Sequence, residues 1–182
     1  MNLGQTMLTA GMLMLLIMSV ISANRMINEN TTAQLQAEAL VSSATIANDM
    51  LLEIMSKKFD AYSDTLGYQA TSAFSPYDTT KNEWGPSLAE RGIITYQADT
   101  SYNGRTYKSI KGLNDMDDYD GYQRIVNFGN ISGFIVKVKV YYVNAGTPDV
   151  LTTSKTYFKK IEVTVEQPLY LSKVTYTGLA SY

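Results

Sequence analysis

The sequence predicts an α+β fold in which a very long N-terminal helix packs on a small C-terminal antiparallel β-sheet. Residues 1–24 contain no charged side chain and many large apolar ones. Residues 31–66 contain neither glycine nor proline, and their apolar residues recur at helical spacing. From residue 122 onward, apolar and polar residues alternate with the period of two that half-buried strands show. These patterns divide the chain into helix segments at 1–24 and 25–60, a mixed region at 61–121 and a sheet at 122–182.

The composition argues against several classes of function. The 182 residues include 15 Lys and Arg, 17 Asp and Glu, no cysteine and no histidine, for a formal net charge of −2. This balance disfavours nucleic acid as a partner, because clustered basic side chains supply most of that affinity. Without cysteine there is no disulfide or zinc-thiolate site, and without histidine the commonest general base is missing. With no phosphate-binding or dinucleotide-binding motif either, we expect a protein that is not an enzyme and needs no cofactor.

Residues 1–24 predict a helix that is apolar on all sides. Such a helix belongs in a bilayer or in the core of an assembly, and about 20 residues suffice to cross a bilayer. Moving the eleven large apolar residues between Met7 and Ile21 out of water gains on the order of 15–30 kcal/mol. The residues expected to contact lipid or the core of an assembly are Met1, Leu3, Gln5, Met7, Leu8, Gly11, Met12, Leu13, Leu15, Leu16, Ile17, Val20 and Ile21.

A secretory signal peptide is the simplest alternative for this first segment. It would require basic residues before the apolar run and a cleavage site with small residues. The first basic residue is Arg25, which follows the run, and Val20-Ile21-Ser22 is a weak cleavage site. The helical pattern also continues beyond Arg25, so we favour a retained helix.

Residues 25–60 predict an amphipathic continuation of the helix. Asn30, Thr31 or Thr32 could cap a new helix start, so a break at that point stays open. An unbroken helix of about 60 residues would be roughly 90 Å long. The stripe expected to cover the sheet comprises Ala37, Leu40, Val41, Ala44, Ala47, Leu51, Ile54, Met55 and Phe59. The polar side expected opposite to it comprises Gln34, Gln36, Ser43, Asn48, Glu53 and Lys57.

A long N-terminal helix, apolar first and amphipathic second, resembles the helix of type IV pilins and pseudopilins. The opening MNLGQ is similar to the mature N-terminus of that family: Leu3 matches, and Gln5 stands where the family has a glutamate. Gln5 keeps a carbonyl acceptor but not the charge, and Ser22 replaces the family's proline. The resemblance implies either that Met1 is the first residue of the mature chain or that the protein is inserted by another route. It also implies residence in the inner membrane and its bilayer, extraction by the pilus assembly machinery, and self-association into an extracellular helical filament.

The sequence after residue 60, which we call the head, predicts short strands followed by an antiparallel meander. In the mixed region, 92–97 and 104–110 are β-like. Further on we expect strands at 122–128, 133–144, 156–167 and 169–178, with a turn at 145–149. In the strand at 133–144, one face carries Ile135, Lys137, Lys139 and Tyr141, and the other carries Phe134, Val136, Val138, Val140 and Tyr142. In the strand at 156–167, the apolar residues are Phe158, Ile161, Val163 and Val165.

Two local patterns suggest ligands or modification. Four carboxylates within six residues repel one another, which makes Asp115, Asp117, Asp118 and Asp120 candidate ligands of Ca²⁺. The spacing does not fit an EF-hand, and a solvated acidic turn is the alternative. The run MDDYDGY also resembles an acidic loop of some pilin-like proteins. Asn30 and Asn130 begin acceptor triplets for N-glycosylation.

The function expected from these features is that of a major pilin. Two alternatives stay open: a minor pseudopilin of a type II secretion system, and a single-pass membrane protein that displays a β binding domain. The helical continuation after Arg25 favours the pilin, because a simple anchor usually leads into a flexible linker.

Overall fold

The fold, seen in a computed structural model, is the α+β arrangement that the sequence predicts: one long helix packed on a five-stranded antiparallel sheet. The structure describes residues 2–63, 70–77, 84–85, 95–102, 105–111 and 113–182. The helix α1 spans Leu3–Met55. The strands are β1 Thr95–Tyr102, β2 Arg105–Lys111, β3 Gln123–Phe128, β4 Ile131–Asn144, β5 Thr147–Leu151, β6 Phe158–Gln167 and β7 Leu171–Ser181. Short 3₁₀ turns lie at Thr71–Ala73 and Asp117–Tyr119.

The main sheet is a meander in the order β3-β4-β6-β7, with β5 paired to the end of β4. The predicted turn at 145–149 is therefore too long. Only Ala145 and Gly146 turn, and Thr147 already pairs with Asn144. β1 and β2 form a separate antiparallel hairpin. They confirm the β-like stretches at 95–97 and 105–110, whereas residues 92–94 and 104 lie outside the described residues.

The helix is continuous through the point where a break was left open. Thr31 and Thr32 do not cap a new helix. Each hydroxyl donates a hydrogen bond of 2.9 Å to the carbonyl four residues earlier, on Ile27 and Asn28. At 1.5 Å per residue, the 53 residues of α1 form a rod of about 80 Å. It ends at Met55, a few residues before the predicted end.

The face of α1 that covers the sheet differs from the predicted stripe. The buried helix residues are Ala39, Ser42, Ser43, Ile46, Ala47, Met50 and Ile54. Of the predicted stripe, Ala47, Ile54 and, beyond the helix, Phe59 are buried, and Leu51 packs partly buried against the core, whereas Leu40 and Val41 are exposed. Ser43, expected on the polar side, is buried and lies 2.9 Å from the Tyr176 hydroxyl of β7.

Small residues explain this orientation of the helix. Ala39, Ser43 and Ala47 let the helix backbone approach the sheet closely. On β7, Gly178 leaves room for α1, since a Cβ there would lie 2.6 Å from the Met55 terminal methyl and 3.1 Å from a Leu51 methyl. The helix therefore settles where close packing is best, not where its largest apolar side chains lie.

The inner face of β4 confirms the alternation predicted for that strand. Its residues Phe134, Val136, Val138, Val140 and Tyr142 are all buried in one core with α1. On β6, the buried residues are Lys159, Ile161, Val163, Val165 and Gln167, so Phe158 lies on the opposite face from the apolar residues with which it was grouped.

The end of α1 is also fastened to the head by polar contacts. The Tyr119 hydroxyl donates a hydrogen bond of 2.9 Å to Glu53 Oε1, and Arg124 Nη1 lies 3.5 Å from Glu53 Oε2. Glu53, predicted to face solvent, thus joins the helix to the acidic 3₁₀ turn and to β3.

Candidate functional site

The first candidate site is residues 3–24 of α1, which we name the apolar half; it is exposed along its whole length. All residues from 2 to 34 are exposed. An 18-residue window of α1 has a mean hydropathy of 2.0, with no part of it buried, so the helix is long and apolar enough to cross a membrane. A signal sequence near the N-terminus passes the same test of length and composition, so the finding is compatible with a membrane anchor or a signal sequence. Of the predicted contact residues, Met1 lies outside the described residues. The exposed helical ones are Leu3, Gln5, Met7, Leu8, Gly11, Met12, Leu13, Leu15, Leu16, Ile17, Val20 and Ile21.

The polar side chains within this half bond to their own helix. The Thr6 hydroxyl donates to the Leu3 carbonyl at 2.8 Å, and Thr9 donates to the carbonyls of Gln5 and Thr6 at 3.0 Å. Such bonds reduce the cost of placing a hydroxyl in an apolar medium. The first charged pair along α1 is Arg25 with Glu29, one helical turn later. Arg25 Nε lies 2.8 Å from Glu29 Oε1.

The second candidate site is the acidic segment, which is folded into the head. Asp115, Asp117 and Asp118 are buried, so the solvated acidic turn is wrong. The expected bonds to backbone amides are nevertheless present. Asp118 Oδ2 accepts from the Asn114 and Asp115 amides at 2.9 and 3.3 Å, and Asp115 Oδ1 accepts from the Asp118 amide at 3.2 Å. Asp120 Oδ1 accepts from the Val140 amide of β4 at 3.0 Å.

A buried lysine of β6 neutralises part of this acidic segment. Lys159, with none of its surface exposed, places Nζ 2.7 Å from Asp117 Oδ1 and 3.3 Å from Asp60 Oδ2. It also donates to the Phe59 carbonyl. An ammonium has three protons to donate, and these three acceptors match that number.

Three aromatic rings surround the same ammonium. Lys159 Nζ lies 4.6 Å from the ring centre of Phe59, 5.0 Å from that of Trp84 and 5.2 Å from that of Tyr142. The negative faces of aromatic rings attract a cation, most strongly where water is excluded. We name Lys159, Asp60, Asp117, Phe59, Trp84 and Tyr142 the Lys159 cluster.

Asp60 connects this cluster to the chain that follows the helix. Its carboxylate accepts from the Tyr62 amide at 3.1 Å, from the Ser75 amide at 2.9 Å and from the Ser75 hydroxyl at 3.1 Å. The Tyr142 hydroxyl lies 3.2 Å from Asp60 Oδ2 and 3.0 Å from the Ser75 carbonyl. The cluster therefore joins the segment after α1, residues 70–77, the acidic turn and the centre of the sheet.

Burial changes the acidity of these carboxyl groups. Desolvation, followed by repulsion from Asp117 and Asp118, raises the pKa of Asp115 to about 9, although Lys159 opposes the change. Desolvation also raises the pKa of Asp117 and of Asp120 above the ordinary value. These carboxyl groups are held by protein donors and do not converge on a common point.

The four aspartates proposed as calcium ligands do not form a clustered site. Among the described residues, no group of three or more acidic side chains is arranged to hold a metal ion. Asp117 is directed to Lys159, Asp120 to the Val140 amide, and Asp118 to amides of its own turn. Calcium binding stays a prediction of the sequence alone.

Sequence reasoning missed Lys159 and Asp60, and for Lys159 a signal was present. Lys159 shares the odd-numbered positions of β6 with Ile161, Val163 and Val165, so strict alternation places it in the core. Asp60 follows the helix in irregular structure, where no periodicity reports burial.

The two glycosylation candidates are both accessible. Asn30 is exposed on α1, and Asn130 is exposed in the turn between β3 and β4. Their placement satisfies the need for access and leaves modification itself a prediction.

One long apolar N-terminal helix packed on an antiparallel sheet is a pilin-like architecture. Comparison of the chain with protein-family models, with curated proteins and with solved structures finds no match.

Proposed function

We propose that this chain is the major structural subunit of an extracellular filament of the type IV pilus kind. Its helix holds each copy in the inner membrane until an assembly machine moves the copy into the filament. The observation that carries the proposal is that the apolar half of α1 is exposed throughout and continues without a break into the half that carries the head. The described residues of the chain do not cover this half, so another molecule has to bury it.

The apolar half can be transferred from lipid to a bundle of neighbouring helices at little cost in free energy. Each large apolar side chain gains roughly 1.5–3 kcal/mol on leaving water, and lipid or neighbouring helices supply that gain about equally. Small residues then permit close helix packing in a filament. Gly4 and Gly11 have no other atom within 4 Å of the Cβ position, which leaves that surface open to a neighbour.

The length of the helix supports a filament over a simple membrane anchor. A bilayer core of about 30 Å uses about 20 residues. If residues 3–24 span it, α1 continues as an unbroken rod for about 46 Å more, at 1.5 Å per residue. A solitary anchored β domain has no use for so long a rigid stem, whereas a filament subunit uses it to join its head to a shared core.

The proposal is tested on cell-surface material sheared from cells that produce the chain. Negative-stain electron microscopy is expected to show thin filaments, and mass spectrometry is expected to identify this chain as their dominant protein. Gly11→Asp should abolish the filaments, because it places a charge among packed helices. The matched control is Gly146→Asp in the turn between β4 and β5, where the Cβ position is equally open and the change should leave filaments intact.

Three outcomes would contradict the proposal. Normal filaments from Gly11→Asp would show that the apolar helices do not form the core. A chain found only in membranes, without filaments, would favour the anchored β domain. A chain that is scarce in sheared filaments built from another protein would favour the minor pseudopilin.

A further inference from the structure

The Lys159 cluster brings an amine, a carboxyl group and a second carboxylate together out of contact with water. Lys159 Nζ lies 2.7 Å from Asp117 Oδ1, and Asp60 Oδ2 lies 3.3 Å from the same nitrogen. The side chains of Lys159 and Asp60 have no exposed surface, and that of Asp117 is 3% exposed. Such an arrangement permits a chemical reaction as well as an ion pair.

The amine is close to the atom with which it would react. A carbon–oxygen bond is about 1.2 Å long, so the Asp117 carboxyl carbon lies at most about 4 Å from Lys159 Nζ when Oδ1 is at 2.7 Å. Reacting atoms in a near-attack arrangement are about 3–3.5 Å apart. Strand β6 holds the amine and the 3₁₀ turn Asp117–Tyr119 holds the carboxyl group, so a small movement brings the two atoms into that range.

The aromatic rings of the cluster exclude water from this pair. Phe59, Trp84 and Tyr142 place their ring centres 4.6, 5.0 and 5.2 Å from Lys159 Nζ. Exclusion of water disfavours the charged form of an acid, and desolvation accordingly raises the pKa of Asp117. Transfer of one proton along the 2.7 Å contact gives a neutral amine beside a neutral carboxylic acid. A minor fraction of this form suffices, because the absence of water disfavours the reverse hydrolysis.

We propose that the side chains of Lys159 and Asp117 join in an intramolecular amide bond. The lone pair of the neutral Nζ attacks the Asp117 carboxyl carbon, and a nitrogen–carbon bond forms. Asp60 takes a proton from the nitrogen and delivers it to the hydroxyl group of the tetrahedral intermediate. The carbon–oxygen bond then breaks and one water leaves. An ammonium and a carboxylate become an amide and water, so the reaction needs no oxidant, and Asp60 ends as it began.

Asp60 is held in place for this proton transfer. Its carboxylate accepts a hydrogen bond of 2.9 Å from the Ser75 amide, and the Tyr142 hydroxyl lies 3.2 Å from Asp60 Oδ2. A general base has to lie within hydrogen-bond reach of the proton that it removes. At 3.3 Å from Nζ, Asp60 Oδ2 is close to that reach. Asp60 is therefore the catalytic residue of the proposed reaction.

The amide would be a covalent cross-link in a chain that has no cysteine and hence no disulfide. It connects the acidic 3₁₀ turn, which contacts the end of α1 through Tyr119 and Glu53, with the interior strand β6. Its two ends are 42 residues apart in the sequence. The inference does not depend on the proposed filament, because the reaction takes place within one copy of the chain.

The test is a peptide map of the unaltered full chain. The chain is purified in detergent, denatured and digested with trypsin, and the peptides are identified by mass spectrometry. The expected product is a branched peptide that joins residues 112–124 to residues 156–160 and is lighter by one water than the two linear peptides together. Fragmentation of this peptide should place the branch at Asp117 and Lys159.

Two results of this map would overturn the inference. Trypsin cleaves after Lys159 only if its amine is free, so linear peptides of residues 112–124 and 156–159 alone would show that no bond forms. A branch to residues 59–81, which contain Asp60, would show that the wrong carboxyl group was assigned.

Two variants test the roles of the residues. Lys159→Arg keeps the positive charge but removes the nucleophile, and it should give linear peptides only. Asp60→Asn leaves Lys159 and Asp117 in place but removes the base, and it should lower the branched fraction at least about tenfold. An unchanged branched fraction in Asp60→Asn would refute its catalytic role. The fluorescence of Trp84, the single tryptophan, verifies that the heads are folded, and the map of the unaltered chain does not depend on either variant.

The adjacent lysine provides a matched control in the same digest. Lys160 Nζ lies 2.8 Å from Asp149 Oδ1, nearly the distance found in the buried pair, but the Asp149 side chain is 87% exposed. Water keeps this pair charged, so no branched peptide that contains Asp149 is expected. Equal cross-linking of the two pairs would overturn the role assigned to the water-free surroundings.

Discussion

Lys159 shows how a charged residue becomes part of a core. Its ammonium has three oxygen acceptors and three aromatic rings around it, so the cost of desolvation is offset by contacts from every side. The residue connects three separate parts of the chain, through Asp60, Asp117 and its own strand. A purely apolar residue at this position could pack, but it would leave the two carboxylates without their cation.

Replacing Lys159 by methionine should therefore destabilise the head strongly. Removal of one partner from a buried ion pair typically costs 3–5 kcal/mol, and Lys159→Met leaves both Asp60 and Asp117 buried. The free energy of unfolding is measured for the full chain in detergent by urea titration, with Trp84 fluorescence as the signal. Lys160→Met is the control, because the adjacent lysine pairs with the exposed Asp149 and surface pairs contribute about 0–1 kcal/mol. Equal losses in the two variants would contradict the role of the Lys159 cluster.

Asp115 makes the stability of the head depend on pH. Its pKa rises from an ordinary 3.8 to about 9 on folding. Between these values the folded state keeps a proton that the unfolded chain has released, so the free energy of unfolding falls as pH rises from about 4 to about 9 and levels off above. Asp115→Asn can keep the Oδ1 acceptor for the Asp118 amide but does not titrate, so it should flatten this decline. Urea midpoints across the pH range measure the effect, and identical slopes for the two proteins would refute it.

At the scale of elements, the sequence predicted what forms but not which way the helix faces. The strands β3, β4, β6 and β7 were each expected within a few residues of their observed ends, because alternation reports burial directly. The orientation of α1 was wrong because residues 37–55 carry two apolar sides. Periodicity merged Ala47 and Ile54 of the sheet side with the exposed residues Leu40 and Val41. Only close packing against Gly178 and Tyr176 separates them.

Replacing either of two alanines of α1 by aspartate distinguishes the buried side of the helix from its exposed side. Ala47 is fully buried against the sheet, whereas Ala44, three residues earlier, is exposed. Ala47→Asp should destabilise the head by about 3 kcal/mol or more, since it buries an unpaired charge. Ala44→Asp should change the unfolding free energy by less than about 0.5 kcal/mol. Urea unfolding of both variants in detergent checks this, and equal losses would restore the stripe first predicted from the sequence, which contained both alanines.

At the scale of the whole molecule, the fold class followed from local sequence patterns, and the Lys159 cluster did not. The apolar residues of the helix and of the strands each recur at a regular interval, and the two apolar faces are buried by packing against each other. The Lys159 cluster brings together residues 59–60, 75, 84, 117, 142 and 159, whose proximity depends on tertiary packing. Charge and composition singled out Asp117 but gave no reason to connect it with Lys159, which is 42 residues away.

The continuity of the rod is open to direct measurement. The chain has no cysteine, so Asn28→Cys together with Asn48→Cys provides two exposed labelling sites without background. An unbroken helix places the two backbone positions about 30 Å apart, at 1.5 Å per residue. Pulsed electron spin resonance of spin labels in detergent should give one narrow distance distribution near this value. A broad or clearly shorter distribution would indicate a hinge near residues 30–32.

The attachment of the helix to β6 also determines how the molecule carries a pull. In the proposed filament, tension along α1 would pass beyond its end at Met55 to Phe59 and Asp60, both of which contact Lys159. From there it enters β6, an interior strand with a hydrogen-bonded neighbour on each side, β4 and β7. The load is then shared by two ladders of hydrogen bonds, and no edge strand is peeled away from the sheet.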